Sequence, residues 1–228
     1  MTDRRFALWP LPLAVALVPV LAAHLAYALS IEAGHVPACV PYFEGCTSIS
    51  RAARHGLGNH LFRLLMLPSA LLLTLHWLAT VVWLRQSTGA ARAGSSLWLL
   101  APFAGLALAV YVTFLGTDGE AYRFLRRYGA QLYFASIYLA QLVVVRRWHR
   151  RLGRWDRVGA VWLAISLVML ALGLGYTAVA NGFDDPVLKD RMENLLEWHI
   201  GALMTAWYLL LAWVWRREGF ALGFSLGR

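Results

Sequence analysis

The chain has 228 residues, 60% of them hydrophobic and only 14% charged, with a formal net charge of +9. A soluble domain carries nearer a quarter charged residues, and several stretches of about 20 apolar residues here hold almost no charge, the mark of spanning helices. The composition excludes a soluble enzyme, and no nucleic-acid-binding motif accompanies the basic residues, so the expected partners are membrane lipids and not DNA or RNA.

In chain order, Arg4 and Arg5 lead into a first apolar stretch over 8–30. No small-x-small cleavage site follows it and further such stretches do, so it reads as a span and not as a removable leader. The next segment, about 31–59, is long for a connection and holds both cysteines, Cys39 and Cys46. If it faces an oxidising space, a disulfide closing a small loop is expected, whereas two cysteines alone make a poor metal site. Within it, Ser48 is a good helix N-cap and Gly56 a good C-terminal stop, which reads as a short helix on the outer membrane surface. Its hydroxyls, with Arg51 and Arg54, suit a lipid phosphate. The plainer reading is a capped helix with snorkelling arginines.

Further spans are predicted over 60–84, 97–115, 129–145, 158–180 and 194–215, making an all-α bundle of six transmembrane helices in a single domain, 1–228. Small-residue pairs four apart, such as Gly105 with Ala109, suit close helix packing. The connections alternate in charge. One side holds 13 Arg against Asp3, Asp156 and Glu218, a net +10, while the other holds eight basic and nine acidic residues. Positively charged loops stay cytoplasmic, so both termini are expected inside. The run from Arg146 to Arg157 is then an orientation signal that also meets anionic lipid heads. Trp9, Trp83, Trp98, Trp148, Trp155, Trp213 and Trp215 fall near the same boundary and read as an aromatic belt. The outer segment from Asp118 through Tyr122, Arg123, Arg126 and Arg127 reads as a solvated turn, and Asp184 and Asp185 as a weak cation site at best.

Ionisable groups within spans are functional candidates by default. Here they are His24, His60, Arg63, His76, Glu197 and His199. His60 and Arg63 are three apart and share a helix face, as do Glu193 and Glu197, four apart. His199, two residues from Glu197, points elsewhere. A convergent site is most easily built from His60, Arg63 and Glu197, with His24 as a further candidate. An Arg63–Glu197 ion pair that only locks two helices together is the structural alternative. No G-x-S-x-G, H-E-x-x-H or P-loop occurs, no span carries a Lys for a retinal Schiff base, and the histidines lie at depths too uneven for haem. No cofactor is expected.

Ser48-Ile49-Ser50 ending the long first outer loop, Leu61-Phe62-Arg63 opening the second span and Glu197-Trp198 opening the last together resemble the Frag/DRAM/Sfk superfamily of six-pass membrane proteins. Members often carry a His near the start of the fourth span, where this chain has Tyr128-Gly129-Ala130. The resemblance implies a lipid-related role, since the superfamily includes proteins tied to remodelling the lipid of GPI anchors, phosphoinositide signalling, lipid asymmetry and autophagy. Arg-over-Lys usage and the short chain point to a bacterial inner membrane.

The leading expectation is a lipid-handling protein that holds a phospholipid or glycolipid head in an outer-side cavity. Arg63, with Ser48, Ser50, Arg51 or Arg54, would hold the phosphate, and Glu197 and His60 would orient the head or act as acid and base. The alternatives are an intramembrane enzyme, either a transferase or a metal hydrolase using His24, His60 and His199, and a non-catalytic adaptor acting through the Arg146–Arg157 loop.

Overall fold

The computed structural model describes residues 4–182 and 184–224. Five helices are long and apolar enough to cross a membrane: α1 (Pro10–Glu32), α4 (Gly56–Thr88), α6 (Glu120–Leu152), α7 (Arg157–Gly182) and α8 (Pro186–Glu218). A sixth, α5 (Leu97–Thr113), is apolar but shorter. Two single-turn helices, α2 (Pro41–Glu44) and α3 (Ile49–Ala52), lie in the long connection between α1 and α4. The start and stop signals are local. Pro10 and Pro186 open α1 and α8, where proline's fixed φ fits the first turn and its missing N–H costs nothing. Left-handed Gly89, Gly153 and Gly219 close α4, α6 and α8.

The six long helices form a closed ring. Each packs on the next in the order α1, α4, α5, α6, α7, α8, and α8 returns to α1. Three seams close through glycine. A Cβ on Gly58 would sit 2.9 Å from the Ala26 carbonyl oxygen, one on Gly105 would sit 2.1 Å from Thr74 Oγ1, and one on Gly129 would sit 2.9 Å from the Tyr111 nitrogen. Backbones in these seams therefore approach as closely as small-residue packing allows. The α6–α7 seam is different. Gly173 and Gly175 of α7 face open space, and Leu170, Leu174 and Tyr176 are exposed.

One end of the ring is plugged by aromatic rings. Trp77, Trp162, Trp207 and Trp215 are fully buried, with Trp83 and Trp148 nearly so. Trp162 stacks on Trp207 at 5.5 Å, and Trp83 on Trp148 at 6.0 Å. The indole N–H of Trp83 donates to Glu218 and that of Trp148 to Asp156, each at 2.8 Å. This changes the reading of the tryptophans. Trp98, Trp155 and Trp213 are about half exposed, as a belt requires, but Trp83, Trp148 and Trp215 belong to the core, held there by ring packing and, for Trp83 and Trp148, by a carboxylate acceptor. His76 also lies in this plug, its ring 5.0 Å from Trp77, 5.3 Å from Tyr208 and 5.4 Å from Trp215, and it makes no interhelical hydrogen bond among the described residues.

At the same end the chain termini meet. Strand β1 (Arg4–Ala7) pairs antiparallel with β2 (Ala221–Phe224), from Arg4 opposite Phe224 to Ala7 opposite Ala221. The helical bundle thus carries a two-stranded ribbon that its sequence pattern did not announce. A second departure is α6. The segment over 120–128 is helical and not a turn, so the expected fourth span of 129–145 becomes a helix of 33 residues, about 50 Å long. Asp3 and Arg228, counted in the charge balance, lie outside the described residues.

Candidate functional site

The long α1–α4 connection folds over the other end of the ring and is latched to α8. Cys39 and Cys46 form a disulfide. Tyr27 of α1 supports this loop: its hydroxyl donates to the Cys39 carbonyl at 2.9 Å and accepts from the Cys39 N–H at 3.0 Å. Beyond the disulfide, five groups of α8 grip the loop backbone or side chains. Arg191 donates to the Glu44 carbonyl (2.8 Å), Asn194 to the Gly45 carbonyl (2.9 Å) and the Trp198 indole to the Thr47 carbonyl (2.9 Å). Asp190 accepts a two-pronged contact from Arg51 at 2.9 and 2.6 Å, and Glu197 accepts from the Ser50 N–H at 3.1 Å.

Helix α3 therefore does not lie out on a membrane surface. Ser48 caps it as the sequence suggests, accepting from the Arg51 N–H at 3.0 Å, but the helix ends at Ala52. Ala52 and Ala53 are fully buried, and Gly56 begins α4 instead of closing α3. Asn59 fixes this geometry by donating to the carbonyls of both Ala53 and Leu115.

Beneath the latched loop lies a cavity of about 1210 Å³, lined by α1, α4, α5, α6, α7 and α8. Its walls are zoned. At the loop end stand Arg123, Arg126 and Arg127 of α6, Lys189, Glu193 and Glu197 of α8, and Ser50 and Tyr42 of the loop. Toward the aromatic plug stand Val15, Met66, Leu108, Met169 and Met204, with Tyr208 at the base. Fifteen residues separate Arg123 from Tyr138 and Glu193 from Tyr208, so the cavity runs about 22 Å along the helix axes.

The expected site residues fall into three groups. Glu197, Ser50 and His24 line the cavity. His24 also accepts or donates at 3.3 Å with the Tyr42 hydroxyl and packs on Trp198 at 5.3 Å. Glu193 lines it with Glu197, one turn away on the same face. Arg51, Arg54 and Ser48 sit just behind the wall. Pairing with Asp190 is the main reason Arg51 holds its proton more tightly than a free guanidinium. Burial, then the charges of Arg126 and Arg51, favour proton loss from Arg54, a sign of crowded positive charge.

His60, Arg63 and His199 stand apart. Arg63 donates to the carbonyls of Val112 (3.2 Å), Thr113 (2.5 Å) and Leu115 (2.7 Å), so it caps the C-terminal end of α5 and does not meet Glu197. That end offers several orphan carbonyls within one turn, and a guanidinium fork satisfies them better than a single carboxylate satisfies the fork. His199 bonds the Leu195 carbonyl of its own helix at 2.8 Å, and His60 is exposed. The three histidines His24, His60 and His199 are not brought together, and among the described residues no group of three His, Cys, Asp or Glu is placed to hold a metal ion.

Arg123, Arg126 and Arg127, which the sequence alone places in a solvated turn, and Lys189, which it does not single out, line the cavity instead. Their signal was present: 123, 126, 127, 130 and 134 follow helical spacing, so the arginines and the apolar Ala130 and Phe134 share one face. No family profile, curated relative or solved structure matches the chain, and the function rests on this site alone.

Proposed function

We propose that this chain is a lipid-handling protein of a bacterial inner membrane, crossing six times with both ends cytoplasmic, and that it holds a lipid headgroup in the outer-side cavity. The observation that carries the reading is the zoning of the cavity. Charged groups ring its loop end and mostly apolar side chains line the rest of its length of about 22 Å, the two halves of an amphipathic ligand. Pockets that take small ligands are usually apolar with a few placed polar groups, and this one adds a length suited to an acyl chain. The exposed residues of α7 along the loose α6–α7 seam offer such a chain a side route from the bilayer.

The orientation has two supports. The terminal ribbon sets the first and last helices at one end of the ring, and the arginine-rich connections lie at that same end, as cytoplasmic loops do.

The test is native mass spectrometry of the full chain, gently extracted from membranes. The expected result is a retained phospholipid or glycolipid that is lost from the Arg126→Gln, Arg127→Gln double variant. Protein that carries no lipid under conditions where the ring stays folded would overturn the proposal.

A further inference from the structure

The charged rim of the cavity is not uniformly basic. Arg123, Arg126 and Arg127 enter it from the first turns of α6, while Glu193 and Glu197 enter it from α8. The two sets line the same cavity from different helices and do not neutralise each other: among the described residues, none of these five side chains joins an ion pair. Lys189 turns away to the Ala180 carbonyl. Among the described residues Glu197 accepts from backbone N–H groups, those of Ser50 and Ile49, and from no side chain, which leaves carboxylate capacity toward the cavity. Tyr176 stands within electrostatic reach of both carboxylates and of Arg127, so the opposed charges share one chamber. Tyr42 and Trp198 close the carboxylate side with aromatic rings, 5.1 Å apart.

Unpaired charges of opposite sign, carried into one cavity by α6 and α8, complement a ligand that carries both signs. A purely anionic head would satisfy the arginines and meet repulsion from Glu193 and Glu197. A purely cationic one would do the reverse. We infer that the ligand is a zwitterionic phospholipid, its phosphate held by Arg123, Arg126 and Arg127 and its cationic amine by Glu193 and Glu197 under the rings of Tyr42 and Trp198. Arginine forks recognise phosphate oxygens in pairs, and carboxylates accept the ammonium's hydrogens. This inference rests on the lipid-site reading above and specifies its headgroup.

The test uses the delipidated full chain in mild detergent, offered equal amounts of phosphatidylethanolamine and phosphatidylglycerol with identical acyl chains, and read by native mass spectrometry. The expected result is a preference of about fivefold for phosphatidylethanolamine, the size of one partly exposed charge pair. Glu193→Gln should reduce that preference to near unity while phosphatidylglycerol is retained at least as well as before. Glu197→Gln should act in the same direction, but it also removes the acceptor of the Ser50 N–H, so Glu193→Gln is the deciding variant. Equal or stronger retention of phosphatidylglycerol by the unmodified chain overturns the zwitterion while leaving a lipid site. Retention of neither lipid overturns the lipid site itself.

Discussion

Gly45 shows how one residue ties the α1–α4 connection to the bundle. Its φ of +62° lies in the left-handed region that side-chain-bearing residues avoid, and a Cβ there would sit 2.3 Å from the Arg191 carbonyl oxygen. Its own carbonyl accepts from Asn194. Gly45→Ala should therefore cost about 2 kcal/mol or more, combining backbone strain with a forced shift of the latch. A clearly lower unfolding temperature in detergent, with faster hydrogen exchange over 36–52, is the expected signature. An unchanged melting curve would mean that the loop is not held through this contact. The Arg51–Asp190 pair is a weaker hold. Both side chains are more than two-fifths exposed, and at that exposure an ion pair contributes no more than about 1 kcal/mol. The backbone contacts of Asn194, Trp198 and Glu197 are the stronger part of the latch. At this scale the sequence was partly legible. Ser48 as a cap, the cysteine pair and the shared face of Glu193 and Glu197 follow from local rules. The fate of Arg63 does not, because its partners are carbonyls of a helix about 50 positions away, and carbonyls leave no trace in a sequence.

Among the elements, the ring divides into a tight half and an open one. Gly58, Gly105 and Gly129 let α1, α4, α5 and α6 approach closely, whereas the outer half of α7 touches little. Gly105→Ala and Gly173→Ala therefore make a matched pair. The first places a methyl 2.1 Å from Thr74 Oγ1 and 2.9 Å from the Ala70 carbonyl oxygen, an overpacking that should cost about 1–3 kcal/mol. The second enters open space and gains helix propensity, so its stability should hold or rise by up to about 1 kcal/mol. Thermal unfolding of both variants side by side checks this, and equal destabilisation by the two would refute the asymmetry of the ring. Composition located the long helices well, since apolar runs of spanning length have few other uses. It missed the first nine residues of α6 because Arg123, Arg126 and Arg127 end the apolar run there. Those arginines turn to a polar chamber inside the ring, which a window average reads as a loop. The tryptophans misled in the opposite direction: interface preference is a tendency of exposed indoles, and stacking in the plug overrides it.

For the whole molecule, the weakest crossing carries the most information. Helix α5 has 17 residues, about 25 Å, against a hydrocarbon core of about 30 Å. Taken alone it could be read as a re-entrant segment, which would leave five crossings and put the termini on opposite sides. The ribbon of β1 and β2 is incompatible with that, because Arg4–Ala7 and Ala221–Phe224 pair before the first helix and after the last. The six-pass proposal makes α5 the sixth crossing, wedged between α4 and α6 through Gly105 and Gly129 and capped by Arg63, and it requires the bilayer to thin locally around this helix. The native cysteines are joined to each other, so single cysteines can be introduced as reporters on a silent background. Cells expressing Asp118→Cys should label with a membrane-impermeant maleimide from outside, whereas Ser95→Cys and Arg154→Cys should label only in inside-out vesicles. Labelling of Ser95→Cys and Asp118→Cys from the same side would remove α5 as a crossing and break the parity that the ribbon demands. The full pattern reversed would keep six crossings, turn the arginine-rich end outward and set the cavity on the cytoplasmic face.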